Sequence, residues 1–99
     1  MIFEVRIRPE AENDIEEAAF WYESQVDGLG HDFVDIVSEA LENIRQKPYA
    51  YPQLYRATRR LLINRFPFGV YYIIDKDSVI VIAVMHSSRD PRRWKERNV

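Results

Sequence analysis

The spacing of apolar residues changes once along this chain, and that change limits the folds open to it. Up to about residue 46, apolar residues recur every three or four positions, which is typical of helices that bury one face. From Tyr55 onward they alternate or run together, which is typical of strands. Residues 2–8 also alternate and come before the helical part. The pattern predicts one strand, a helical region and then several strands.

The helical region divides at Asp27-Gly28-Leu29-Gly30, because glycine interrupts a helix. We predict the first helix over residues 9–26, since the fixed backbone angle of a proline suits a first turn. The second helix is predicted over residues 30–46 and ends before Pro48. Two helices joined by a short turn form a helical hairpin. The buried face of the first helix is predicted to contain Ala11, Ile15, Ala18, Ala19, Tyr22 and Val26.

Three strands are predicted after the hairpin. In the first of them, Leu61 and Ile63 alternate with residues that would face outward. Residues 68–74 and 79–85 are apolar on both faces, which indicates strands covered from two sides, and a short polar turn connects them. A basic tail follows, with a short helix predicted after Pro91.

A small sheet cannot cover its own apolar face, and a helical hairpin packed on it provides the missing layer. We therefore predict one α+β domain over residues 1–99. It would consist of a helical hairpin on a small, mainly antiparallel sheet, in the order β-α-α-β-β-β, and the first strand would join the sheet.

Charge is distributed unequally, although the net charge is only −2. Residues 1–50 contain four Lys and Arg and twelve Asp and Glu, a net charge of −8. Residues 51–99 contain ten Lys and Arg and four Asp and Glu, a net charge of +6. Such asymmetry indicates a nucleic-acid or protein partner for the basic half, or simply a solvated basic surface.

Several classes of site are not expected. The absence of cysteine excludes disulfides, thiolate zinc sites and cysteine nucleophiles. Because the sequence has neither a glycine-rich phosphate loop nor the spacing of metal ligands, we expect no cofactor and no metal. No apolar run is long enough to cross a membrane, and the start lacks the pattern of a signal peptide, so we expect a cytoplasmic protein without membrane contact.

Three stretches of the chain carry a family resemblance. Residues 9–22 begin Pro-Glu-Ala-Glu and end in Trp-Tyr; residues 59–72 contain Arg-Phe-Pro-Phe before a Tyr-Tyr strand; residues 81–94 end a strand in His-x-x-Arg-Asp-Pro. Together with the element order, they resemble the RelE/ParE toxin superfamily. The ending Arg-Asp-Pro-x-x-Trp is more similar to the ParE members.

The resemblance implies a toxin of a type II toxin–antitoxin system, of the kind associated with plasmid stabilization. Such a toxin inhibits growth until a cognate antitoxin binds it. ParE-like members bind DNA gyrase and are not themselves nucleases, whereas RelE-like members are ribosome-dependent endoribonucleases that cut mRNA. A third alternative is an inactive module that only binds antitoxin.

Candidate site residues follow from both alternatives. In a nuclease, His86 would act in proton transfer and Arg65 would hold the phosphate. RelE-like nucleases use clustered lysines and a late tyrosine, but here no Lys lies between Lys47 and Lys76, and no Tyr follows Tyr72. This departure favours a gyrase-binding toxin over an enzyme. The predicted target or partner contacts are Arg59, Arg60, Arg65, Arg89, Arg92 and Arg93.

Large aromatic residues are more often part of a core than of a functional pocket. We therefore predict that Trp21, Tyr22 and Phe33 are core residues and that Trp94 packs back onto the domain. The antitoxin is expected to place an amphipathic helix in an apolar groove, which would leave the free toxin with exposed apolar surface.

Overall fold

The computed structural model describes residues 2–98. Met1 and Val99, the two ends of the predicted domain, lie outside the described residues. The elements are β1 (Glu4–Ile7), α1 (Pro9–Gln25), α2 (Leu29–Gln46), a 3-10 helix (Pro48–Ala50), β2 (Gln53–Tyr55), β3 (Thr58–Leu62), β4 (Phe68–Asp75), β5 (Ser78–His86) and α3 (Arg92–Lys95).

The five strands form one sheet in the order β1-β5-β4-β3-β2. β1 pairs with β5 in parallel, and the other three pairings are antiparallel. The predicted α+β class and mainly antiparallel sheet are confirmed. The sequence did not predict β2, because three residues are too short to show a period of two, and the pairing of β2 with β3 is irregular.

α1 and α2 form the predicted hairpin and approach each other closely at its turn. A Cβ on Gly30 would lie 2.4 Å from the carbonyl oxygen of Ala19, so only glycine allows this approach. The Glu23 carboxylate accepts hydrogen bonds from the backbone N–H groups of Gly28 at 2.8 Å and Gly30 at 2.9 Å. These bonds lower the pKa of Glu23, the one from Gly28 most. α1 therefore caps the start of α2, where N–H groups otherwise lack partners.

The main core lies between the hairpin and one face of the sheet. Phe33 is fully buried there, with its ring 5.2 Å from Phe66 and 5.0 Å from Phe68, measured between centroids. Leu61 and Ile63 are buried on this side, while Leu62 is exposed. The predicted alternation in this region and the predicted core position of Phe33 are both confirmed.

The opposite face of the sheet is covered by α3. Trp94 is 5% exposed, and its ring stacks on Tyr71 of β4 with centroids 4.7 Å apart. Ile82, Ala83 and Met85 of β5 complete this second cluster. The prediction that Trp94 packs onto the domain is confirmed, and β4 and β5 are covered on both faces as their apolar runs indicate.

The segment after α3 is fastened to the rest of the domain. Arg97 Nη1 lies 2.6 Å from Asp14 Oδ2 of α1 and donates to the Ile82 carbonyl of β5 at 3.1 Å. Arg8 donates to the Arg97 carbonyl at 2.9 Å, and Thr58 donates to the Asn98 side chain. The C-terminal segment is thereby joined to α1, β3 and β5, and to Arg8 at the end of β1.

Two predictions for α1 were wrong. Trp21 is 58% exposed, because the face of α1 that packs on the sheet is set by the smaller residues at helical spacing. Val26 is equally exposed, because α1 ends at Gln25 and Val26 is already extended. Tyr22 is partly buried against the core, as predicted. Within residues 2–98, no helix is long and apolar enough to span a membrane.

Candidate partner-binding cleft

A cleft of about 520 Å³ lies between α1 and the end of β5. It contains His86, and we call it the His86 cleft. Its volume falls in the range of about 300–1,000 Å³ that is typical of ligand sites. The cleft is lined by Asp14, Glu17, Ala18, Trp21, Tyr22, Phe68, Val84, Met85, His86, Ser88, Arg89 and Arg93.

His86 ends β5 and is held by the turn that follows it. Its Nδ1 atom accepts a hydrogen bond from the Ser88 backbone N–H at 3.1 Å and lies 2.7 Å from Ser88 Oγ. A backbone N–H can only donate, so Nδ1 is an acceptor and the neutral ring carries its proton on Nε2. The ring also meets Phe68 edge-on, with centroids 5.5 Å apart. The structure therefore presents His86 as a fixed Nε2–H donor.

Arg89 and Arg93 line the His86 cleft on the side of the β5–α3 connection and are exposed. The side chain of neither forms a hydrogen bond or ion pair with any residue from 2 to 98, whereas their backbone N–H groups donate to the carbonyls of His86 and Asp90. The opposite wall has two carboxylates. Asp14 is occupied by Arg97 and also accepts from the Val84 backbone N–H at 3.0 Å, and Glu17 accepts from Asn13 at 3.0 Å.

The floor of the cleft is apolar and aromatic. Phe68, Met85 and Ala18 contribute carbon surface, and the Tyr22 ring packs 6.0 Å from that of Phe68. Burial raises the pKa of Tyr22, so its phenol stays protonated across the physiological range. The cleft thus combines an apolar floor with uncommitted N–H donors on one wall.

The side chains of two predicted contact arginines bind other residues of the domain and do not line the His86 cleft. Arg59 donates to the carbonyls of Tyr51 at 2.7 Å and Tyr49 at 3.3 Å, which fastens the segment after α2 to β3. Arg65 forms an exposed ion pair with Asp32 of α2 at 3.4 Å. Arg65 does not line the cleft that contains His86.

Arg60 and Arg92, two more of the predicted contacts, also lie outside the His86 cleft. Arg92 is paired with Asp90 at 2.6 Å, which lowers the pKa of Asp90. Arg60 lies on the sheet face opposite the hairpin, where its side chain covers Gly69; a Cβ on that glycine would come within 2.9 Å of Arg60. Its Nε is buried without a hydrogen-bond partner among the described side chains and backbone. Only Arg89 and Arg93 therefore join His86.

The sequence did not reveal the part that α1 plays in this cleft. Phe20 is 79% exposed, and Phe20 and Trp21 line a shallower groove on α1 that meets the His86 cleft at Trp21 and Glu17. The signal was present, since Phe20 falls outside the helical stripe of buried residues. Asp14 was not singled out either, because its partner Arg97 is too distant in sequence for any local pattern.

No group of three or more His, Cys, Asp or Glu residues within the described range could hold a metal ion. The cleft brings together the imidazole of His86, two exposed arginines and apolar side chains. Such a surface matches a partner that brings an acceptor group beside apolar side chains.

Two solved structures share this fold. A chain of the chromosomal ParDE toxin–antitoxin system of P. aeruginosa superposes with a TM-score of 0.75 at 14% identity, over 86% of this chain and 96% of that one. A chain of the toxin–antitoxin complex RelBE2 from Mycobacterium tuberculosis gives 0.61 at 18% identity, over 87% of this chain and 99% of that one. The fold is thus one found in toxin–antitoxin systems.

Sequence comparison gives the family. The family model described as the ParE toxin of the type II toxin–antitoxin system parDE matches residues 5–91. Toxin ParE2 from two strains of Mycobacterium tuberculosis is 29% identical over 91 residues, which is 88% of this chain and 84% of that protein. This chain belongs to the ParE toxin family. It is accordingly a ParE-type toxin of a type II toxin–antitoxin system, and a cognate antitoxin is its partner.

Proposed function

We propose that this toxin inhibits growth by binding DNA gyrase and that its antitoxin prevents this contact. The gyrase target rests on the resemblance to ParE-like toxins, which bind gyrase rather than cut RNA. The cytoplasm, where the chromosome lies, is the compartment that this function requires. The residues proposed to meet the target are His86, Arg89 and Arg93, the predicted candidates that lie together.

The observation that favours binding over catalysis is the hydrogen bond at His86 Nδ1. A general base needs an available lone pair, and in neutral His86 that lone pair accepts from the Ser88 N–H. The remaining ring nitrogen is a donor, which suits binding. Arg65, the other candidate for catalysis, is paired with Asp32 instead. Binding therefore uses the site as it stands, whereas catalysis would need the His86 turn to rearrange.

One observation favours the second candidate function, a ribosome-dependent endoribonuclease. Arg89 and Arg93 flank His86, and two cations beside an imidazole could stabilise the charge that develops on a phosphate. In that case the His86 ring would have to exchange protons with the substrate. Predicted outcomes for this residue therefore differ between the two functions.

The test is tightly controlled induction of the toxin alone, with two readouts. Gyrase binding predicts growth arrest with intact messages and, with purified components, inhibition of gyrase supercoiling. Discrete cuts in translated messages within minutes would contradict the proposal and support the nuclease. Absence of arrest from a folded protein would leave the third alternative, an inactive antitoxin-binding module.

Substitutions at His86 separate the functions further. His86→Gln keeps an N–H donor close to the position of Nε2, so binding predicts that toxicity is largely retained, whereas His86→Ala weakens it. A nuclease would lose activity in both variants. Arg89→Ala with Arg93→Ala should reduce gyrase inhibition, and Lys47→Ala with Arg56→Ala is a control with the same change in charge outside the cleft.

A further inference from the structure

The His86 cleft and the groove on α1 form one continuous surface with an ordered charge pattern. At one end, Arg89 and Arg93 are exposed cations whose side chains form no hydrogen bond or ion pair with residues 2–98. The middle is apolar, with Trp21 exposed where the two depressions meet. Glu17 lies beside Trp21 where the two depressions meet, and beyond them Glu16 lines the groove on α1. The surface therefore runs from positive through apolar to negative.

We propose that this surface binds a segment of the antitoxin whose side chains are acidic, then apolar, then basic along its length. The acidic group would meet Arg89, Arg93 and the Nε2–H of His86. The apolar part would cover Trp21 and the floor of the cleft, and the basic group would meet Glu16 and Glu17. The assignment of this partner rests on the proposed function, since the antitoxin would occupy the residues proposed to meet the target.

Charge complementarity supports a peptide over a nucleic acid. A nucleic-acid strand carries a negative charge at every phosphate, so a strand that reached Arg89 would also pass Glu17 on the opposite wall. The apolar floor offers no second row of cations along which a backbone could run. A peptide can place one carboxylate beside Arg89 and Arg93 and a basic group beside Glu17, which matches the charge of both walls.

The shape of the surface supports a different chain over a second copy of this one. Under a two-fold axis, the positive end of one copy would face the negative end of the other, so the charges alone would allow a dimer. The His86 cleft is concave, however, and two concave surfaces cannot fill each other. The exposed Phe20 and Trp21 rings need a partner that reaches into the cleft as well as along α1.

The experiment measures binding of fluorescent blocked peptides to the full-length toxin by anisotropy. All peptides have one composition: paired glutamates, a Leu/Ala segment and paired lysines. Two present the charges in the proposed order, one in each chain direction, and the third is shuffled. We expect one ordered peptide to bind at least about tenfold more tightly than the shuffled peptide. Equal binding of all three would overturn the proposal.

A charge exchange tests which toxin residues bind the acidic end of the peptide. Arg89→Glu with Arg93→Glu should remove the preference for the ordered peptide, and replacing the glutamates of that peptide with lysines should restore it. His86→Gln should bind the ordered peptide like the original chain, and His86→Ala several-fold more weakly. Lys47→Ala with Arg56→Ala, which removes two exposed cations outside both depressions, is expected to change nothing. A preference that survives the charge exchange would contradict the proposal.

Three further outcomes would overturn the proposal by assigning the surface to a different partner. An RNA or DNA oligonucleotide that displaces the ordered peptide would assign the cleft to nucleic acid, and a dimer dissociated by Trp21→Ala would assign it to a second copy. If the variants lose gyrase inhibition but keep full affinity for antitoxin, the cleft serves the target alone. Loss of antitoxin binding with unchanged gyrase inhibition would instead contradict only the target contact.

Discussion

The two helices of the hairpin are nearly equal in length, with 17 residues in α1 and 18 in α2, but they place their large side chains differently. α2 turns Phe33, Val37 and Ile44 into the core. α1 buries mainly small residues and leaves Phe20 and Trp21 in solvent. The difference teaches that α2 is completed by the sheet of its own chain, whereas α1 exposes apolar side chains on the surface that we propose the antitoxin covers.

The largest expected effect on stability comes from removing a core side chain of α2, and removal of an exposed side chain of α1 is its control. Phe33→Ala removes a fully buried ring from an aromatic cluster, which should lower the free energy of unfolding by about 3–5 kcal/mol. Phe20→Ala removes the same ring from an exposed position and should change it by less than about 0.5 kcal/mol. Urea denaturation measures both, and similar losses would contradict the contrast between the helices.

The second prediction concerns binding. Trp21→Ala should weaken antitoxin binding by at least about tenfold, because exposed tryptophans at the centre of an interface often supply much of its affinity. Its effect on stability should be small. Calorimetric titration with the purified antitoxin measures the affinity, and Val26→Ala, also exposed but outside both depressions, is the control.

The third prediction weakens the link from α1 to the C-terminal segment. Asp14→Ala leaves Arg97 without its carboxylate and the Val84 N–H without its acceptor. Because the pair is mostly but not fully buried, we expect a loss of about 1–3 kcal/mol in unfolding free energy. A double-mutant cycle with Arg97→Met isolates the pair. Independent, additive losses would mean that the contact contributes nothing.

The smallest effect tests the contact between the two helices at low pH. Hydrogen bonds from Gly28 and Gly30 lower the pKa of Glu23 below its usual value near 4.5, so its stabilising contribution is complete above that pH and is lost as pH falls through the lowered pKa. Glu23→Gln should therefore show a weaker fall in melting temperature on acidification below pH 4.5 than the original chain. Parallel curves would show that the carboxylate does not stabilise the turn. Glu42, whose pKa is lowered to about 2 by Arg45, acts in the same direction.

Much of the fold was predictable because its determinants are local. The spacing of Phe33, Val37 and Ile44 defines α2, and the double-sided apolar runs define β4 and β5. Trp94 was correctly assigned to the core as an isolated aromatic residue in a basic tail. The three-residue β2 was missed because it has no pattern of its own.

The candidate site was predictable only in part. Residue type indicated His86, Arg89 and Arg93, but could not exclude Arg59 or Arg65, whose partners come from distant loops and helices. The exposed position of Trp21 depends on which face of α1 meets the sheet, and the apolar pattern of that helix is weak. The tautomer of His86 depends on the geometry of the turn to Ser88, which the spacing of residue types along the sequence does not predict.

The parallel pairing of β1 with β5 also has a consequence for the order of events during synthesis. Glu4 is opposite Ser78 and Ile7 is opposite Val81, so the first strand pairs with the last one made. Such high contact order slows folding and prevents the sheet from closing while the C-terminal part is still being translated. Arg97 follows β5 in the sequence, so its contact with Asp14 forms later still. The sheet of a nascent toxin therefore stays incomplete until β5 has been made and can pair with β1.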